Sequence, residues 1–214
     1  MGFDRLAPHY RWLEFVLAGT KLQRCRTAFL NERVDARRVL ILGEGNGRFL
    51  AECRRRLEKA HITCVDGSSR MLQLARQRLL SSGLGADQTT FIHADALHWS
   101  PAERTFDLIV THFFLDCFRP DQLQPLLAKL AGAATPNAAW WVADFQIPTS
   151  GLVRYRAAVI HRLMYWFFRV FTGLPAARLT PPDTFLQAHG FVLCERVVSE
   201  WGLLHSDLWR RPFC

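Results

Sequence analysis

Apolar residues along this chain come in two rhythms. Short unbroken runs, such as Val39-Leu40-Ile41-Leu42 and Phe106 to Val110, are bounded by glycines and polar residues; between them, positions such as Phe49, Leu50, Cys53 and Leu57 recur at helical spacing. Unbroken runs of four to six predict strands covered on both faces, and the longer period predicts amphipathic helices. The pattern predicts strand 39–42, helix 47–59, strand 61–66, helix 69–82, strand 89–93, strand 106–111, helix 121–133 and strand 138–144. The clusters Ser81-Ser82-Gly83-Leu84-Gly85 and Thr135-Pro136-Asn137 are predicted turns. A short helix opens at Thr180-Pro181-Pro182-Asp183 and stops at Gly190, and strands 191–199 and 203–209 follow, joined by a turn at Trp201-Gly202. Residues 3–30 also read as helical. Strands alternating with helices imply an α/β fold, a doubly wound parallel sheet with helices on both faces.

The stretch that organises this pattern is Val39 to Leu50, VLILGEGNGRFL. A strand runs into Gly43-Glu44-Gly45-Asn46-Gly47, and the helix beyond points free N–H groups over the turn. The next strand ends in Asp66, where a carboxylate can accept both hydroxyls of a ribose. A dinucleotide fingerprint has the spacing GxGxxG, whereas the third glycine here comes one residue early. GxGxG resembles the first motif of the class I S-adenosylmethionine-dependent methyltransferases. The clause Asp66-x-Ser68-x-x-Met71-Leu72-x-x-Ala75, the strand ending Ala94-Asp95-Ala96, and Phe106 to Thr111 are similar to that family's next three elements.

The resemblance covers roughly residues 36–145. It implies a Rossmann-like seven-stranded sheet closed by an antiparallel C-terminal strand pair, with S-adenosyl-L-methionine as cofactor and S-adenosyl-L-homocysteine as product. The cofactor-binding residues it implies are Gly43, Gly45, Gly47, Asp66, Gly67, Ser68, Met71, Asp95, Ala96 and Thr111. Asp95 is placed to meet the adenine amino group, and the next N–H to meet the ring. The family's acid two residues before the first glycine is Ile41 here, so Glu44 is the candidate for the missing carboxylate. The alternative leaves Glu44 in solvent and the ligand's amino group on backbone carbonyls. Arg5 to Leu13 is similar to the opening of the ubiquinone/menaquinone-type C-methyltransferases, which makes Tyr10 a candidate lid over the cofactor, or simply a packing residue. The expected organisation is a lid over 1–35, a cofactor-binding core over 36–145, a substrate-side insertion over 146–180, and a closing helix and strand pair over 181–214.

Composition narrows this picture. With 214 residues, half of them hydrophobic, the chain has material for one large core. Six cysteines form no CxxC pair and no zinc spacing, which reads as reduced thiols in a cytoplasmic enzyme with no metal. No apolar block reads as a signal peptide or a membrane span. The net charge of +8 is mostly scattered arginine without a nucleic-acid-binding signature, and Arg54-Arg55-Arg56 reads as a solvated helix face. Leu152 to Phe171 is a broad apolar face with a basic stripe through Arg154, His161, Arg162 and Arg169. Its readings, in order, are a substrate-pocket wall, a homodimer surface and a peripheral membrane contact.

Methyl transfer from a sulfonium is an in-line displacement that needs an aligned acceptor and, where the acceptor carries a proton, a base. His112 is the leading candidate base because imidazole titrates near neutrality, with Asp116 to orient or assist it. The expected activity is transfer to a small aromatic or lipophilic acceptor. A non-catalytic S-adenosylmethionine-binding or scaffold protein of the same fold is the alternative, and an NAD-dependent oxidoreductase is third.

Overall fold

A computed structural model describes residues 19–32, 35–146 and 179–212. Helix α1 (Gly19–Thr27) leads to β1 (Arg38–Leu42), α2 (Arg48–Arg56), β2 (His61–Asp66), α3 (Ser69–Ser81), β3 (Thr89–His93) and β4 (Phe106–His112). A 3₁₀ turn at Leu115–Cys117 precedes α4 (Pro120–Ala133) and β5 (Ala134–Phe145). Then come α5 (Asp183–Ala188), β6 (Val192–Ser199), a second 3₁₀ turn at Glu200–Gly202, and β7 (Leu204–Arg210). The strands form one sheet in the order β3-β2-β1-β4-β5-β7-β6. The first five are parallel, while β7 runs antiparallel to β5 and β6 antiparallel to β7. The order reverses between β1 and β4, and the crevice above that point is where such sheets hold ligands.

Alternation along β1 sorts the core into two layers. Val39 and Ile41 pack under α2 and α3 with Phe49, Cys53, Cys64, Ala75 and Trp141. Leu40 and Leu42 pack on the other side with Leu123, Leu127, Trp140 and Trp209 under α4 and α5. Both faces of the strand being covered explains its unbroken apolar run.

Two readings from the sequence are corrected. The Thr135-Pro136-Asn137 cluster is not a turn ahead of the strand but a bulge inside it: Phe106 pairs with Ala134 and Leu108 with Ala139. Proline has no N–H for the ladder, so a bulge is where a strand tolerates it. Arg54 is buried rather than solvated. Its guanidinium donates to the carbonyls of Ala60 (2.6 Å), Leu57 (2.6 Å) and Glu58, pinning the loop that follows α2 onto the helix.

Glycine chemistry in the turn serves packing as well as conformation. Gly43, Gly45 and Gly47 all have positive φ. A Cβ at Gly47 would stand 2.6 Å from the Cα of Ala75, so α2 starts in contact with the backbone of α3. A Cβ at Gly43 would stand 2.4 Å from Cδ2 of Phe114. Gly47→Ala therefore meets both a left-handed φ and a backbone atom with no room to yield, and is expected to cost about 3 kcal/mol. A urea titration would measure it, and a loss well under 1 kcal/mol would show that the two helices can part freely.

Candidate active site at the carboxyl edge of the sheet

Asp66 ends β2 and is held by the turns beside it. Oδ2 accepts from the N–H of Gly45 (3.2 Å) and Oδ1 from the N–H of Ser68 (2.8 Å). The carboxylate is half-buried, and its two oxygens are spaced to suit a vicinal diol. Ser68 is itself committed: its hydroxyl caps α3 by accepting from the N–H of Met71 at 3.2 Å. Ser68 and Met71 are buried and Gly67 is exposed. Beyond β3, Asp95 is exposed and Ala96 buried. Thr111 is fully buried, its hydroxyl accepting the indole N–H of Trp140 at 2.9 Å, so its side chain serves the core.

Glu44 takes a third course, neither free in solvent nor uncommitted. Its Oε1 accepts from the N–H of Leu50 at 2.8 Å, so the carboxylate reaches back to cap α2. Burial pushes its pKa up to about 7, against the pull of that hydrogen bond and of the Arg26 charge. Ile41, in the position of the family's acid, lies in the core under α2.

His112 and Asp116 are not brought together as a base and its partner. His112 is buried edge-on to Phe49, with ring centroids 4.5 Å apart, under the α2 layer. Its Nδ1 is buried without a hydrogen bond among the described residues, and burial, then the Arg26 charge, holds its pKa well below the usual imidazole range. Asp116 instead meets Asp144, the acid at the end of β5. The backbone N–H of Asp116 donates to Asp144 Oδ2 at 3.2 Å, and the N–H of Phe145 donates to Oδ1 at 2.8 Å. Both carboxyl groups are buried. Burial raises Asp116 to about 6, and burial followed by the charge of Asp116 raises Asp144 well above the carboxylate range.

The pair stands beside the glycine turn, since Phe114, two residues before Asp116, fills the space over Gly43. The half-buried rings of Phe113, Phe114, Phe118 and Phe145 line the same edge, Phe114 against Phe118 at 5.0 Å and Phe113 against Phe145 at 5.2 Å. Arg26 of α1 stacks over Phe113 at 5.2 Å. Tyr10 and the segment 152–171 lie outside the described residues.

Sequence reasoning missed Asp144 and Arg26. Asp144 had a signal, being an acid that ends a buried apolar run, as Asp66 does. Arg26 had none, because only the docking of α1 brings it near Glu44 and His112.

The arrangement suits the adenosyl end of the expected cofactor: a carboxylate for the ribose, a second past β3 for the base, and a glycine-rich turn after β1 bonded to the first. Comparison with known proteins agrees. Residues 39–137 match the model of a family described as a methyltransferase domain. Over 154 residues the chain is 32% identical to a demethylmenaquinone methyltransferase of Deinococcus radiodurans, covering 70% of this chain and 61% of that protein. The chain spans less than two thirds of the curated relatives it matches. Among solved structures, a mitomycin 7-O-methyltransferase superposes with a TM-score of 0.73 at 18% identity, over 99% of this chain and 61% of that one. A Burkholderia thailandensis 1,6-didemethyltoxoflavin-N1-methyltransferase with bound S-adenosylhomocysteine gives 0.68 at 16% identity, over 99% and 85%. At such identities the likeness is one of fold. Among the described residues no helix is long and apolar enough to cross a membrane. Motif order, sheet topology and these matches are those of the class I S-adenosylmethionine-dependent methyltransferases, and residues 39–137 carry the match to a methyltransferase domain.

Proposed function

We propose that this protein transfers a methyl group from S-adenosyl-L-methionine to a small aromatic or lipophilic acceptor that gives up a proton as it is methylated. The Asp116–Asp144 pair carries this reading. It is a buried carboxyl pair with one pKa near neutrality, at the carboxyl edge of the sheet beside the nucleoside-binding turn.

The cofactor, when bound, supplies an electrophilic methyl carbon on a sulfonium. Asp66, held by the N–H groups of Gly45 and Ser68, would receive the ribose hydroxyls. Asp95 and the N–H of Ala96 would read the base. Above pH 6, Asp116 is largely ionised and can take the acceptor's proton, while Asp144 holds the Asp116 backbone in place by accepting its N–H. The aromatic rings of Phe113, Phe114, Phe118 and Phe145 favour a flat, apolar acceptor body and exclude water from the displacement. Names of relatives fit such acceptors: two curated relatives are demethylmenaquinone methyltransferases, and one structural neighbour binds 1,6-didemethyltoxoflavin.

Calorimetric titration with S-adenosylhomocysteine, beside NAD, tests the cofactor. Binding of the first alone is the expected result, and binding of neither would return the scaffold reading. Glu44→Gln adds a finer arm, because the amide oxygen can still cap α2 while the charge is gone. If Glu44 also receives the ligand's ammonium, affinity at pH 8 is expected to drop about tenfold. Unchanged affinity would confine Glu44 to the cap.

A further inference from the structure

The turn after β3 must present a carboxylate and the next N–H in fixed relation, yet Asp95 stands exposed on it. Three hydrogen bonds from the turn's own backbone N–H groups shape it. Asp95 Oδ1 accepts from the N–H of Leu97 (2.9 Å), and the carbonyl of Asp95 accepts from the N–H groups of His98 (3.0 Å) and Trp99 (2.8 Å). The fourth fastening comes from another element. Lys129, half-buried on α4, donates from Nζ to the carbonyls of Ala96 (2.7 Å) and Leu97 (3.0 Å).

The Ala96 carbonyl and the Leu97 N–H are two ends of one peptide unit. Lys129 grips that unit at its oxygen, and Asp95 Oδ1 is bonded to its N–H. An ammonium on the carbonyl polarises the peptide and strengthens the hydrogen bond at its far end. The chain Lys129 Nζ, Ala96 C=O, Leu97 N–H, Asp95 Oδ1 therefore fixes which way the carboxylate faces. The other oxygen, Oδ2, lies 3.0 Å from Nδ1 of His98, whose side chain is exposed and able to yield.

We infer that Lys129 is a positioning residue that, through the 96–97 peptide, aims Asp95 and so sets selectivity for a 6-aminopurine over a 6-oxopurine nucleoside. This rests on the cofactor reading above. A 6-amino group donates to the aimed carboxylate, whereas a 6-oxo group opposes oxygen to oxygen. Without Lys129 the peptide can rotate, and the carboxylate loses its bearing while the ribose contact at Asp66 stays intact.

The test compares S-adenosylhomocysteine with S-inosylhomocysteine by calorimetry on the wild type, Lys129→Met and Lys129→Arg. The wild type is expected to prefer the adenosyl ligand by about tenfold or more. In Lys129→Met the adenosyl affinity is expected to fall until the preference is about twofold or less, with the inosyl affinity little changed. Lys129→Arg, which can still donate to both carbonyls, restores the preference. Should Lys129→Met not fold, Lys129→Gln, with one donor group left, is read the same way and is expected to give an intermediate preference. Equal weakening of both ligands, or a lower melting temperature with the preference intact, would make Lys129 only a structural staple and overturn the inference. Wild-type binding without preference would overturn it too while leaving the cofactor reading standing. Binding of neither ligand would remove that reading and this one together.

Discussion

Asp116→Asn is expected to lower turnover by about 10²–10⁴-fold while leaving S-adenosylhomocysteine affinity within a factor of about three. Asparagine keeps the shape and the backbone N–H that bonds Asp144, but it cannot accept a proton. In the wild type the rate should rise with pH through about 6, where Asp116 ionises, and then level off. The variant should lose that limb. Stability should move the opposite way. A carboxyl whose folded pKa lies above its unfolded value holds a proton that the unfolded chain has lost, so folding weakens as pH climbs from about 4 to about 6. Asp116→Asn removes that burden and is expected to be roughly 1–3 kcal/mol more stable than the wild type at pH 7, with little difference at pH 4. Denaturant midpoints at both pH values, beside initial rates on a lipophilic phenol or quinol that the wild type methylates, check both halves. A variant that turns over normally would place the proton acceptor elsewhere, with buried His112 the next residue to change.

The second large effect lies away from the chemistry, in the closing hairpin. Asp207 is fully buried on β7 and is gripped from both sides. Arg196 of β6 donates Nε to Oδ1 (2.7 Å) and Nη2 to Oδ2 (2.6 Å), and the indole of Trp209 donates to Oδ2 at 3.3 Å. His205 Nδ1 lies 3.0 Å from Oδ1, and Arg196 reaches on to Asp183 of α5 at 2.7 Å. Burial alone would raise this carboxyl, yet the hydrogen bonds from Arg196, with His205 close beside them, win and hold it below the usual range. Arg196→Ala leaves the charge buried without its main partner, which costs about 3–5 kcal/mol. The sign with pH follows. In the wild type the stabilisation from Asp207 is present above the unfolded pKa and lost as pH falls through the folded one, below about 4. In the variant the stranded carboxyl rises instead, so protonation relieves it and the deficit shrinks on acidification. Arg196→Ala combined with Asp207→Asn should recover much of the loss at pH 7. A single-variant loss under about 1 kcal/mol would show that water reaches Asp207 once the arginine is gone.

How far the sequence could be read follows from the kind of interaction involved. The strands, the order of the motif clauses and the glycine turn were legible because they rest on local rules: buried runs, helical spacing, and positive φ. Glu44 was not, because its role depends on a carboxylate turning back onto Leu50, and no spacing rule separates that from a solvent-exposed acid. The pairing of His112 with Asp116 failed for a geometric reason. The strand sends His112 under α2, and the chain past the positive φ of Phe113 carries Asp116 to Asp144. Arg54 read as solvated because runs of arginine usually are; that the chain folds back after α2 and turns the carbonyls of Leu57, Glu58 and Ala60 toward it shows only in three dimensions.

The contact between Gly47 and Ala75 has a consequence for how this chain can vary over generations. The two residues belong to different motif clauses, and each clause is usually explained by the ligand. Here the last letter of the second is set by the last letter of the first: Ala75 has to be small because α2 begins against its backbone. Descendants of this gene are free to exchange alanine for glycine at 75, and little else at either position. The two clauses are in that sense one inherited unit, written 28 residues apart.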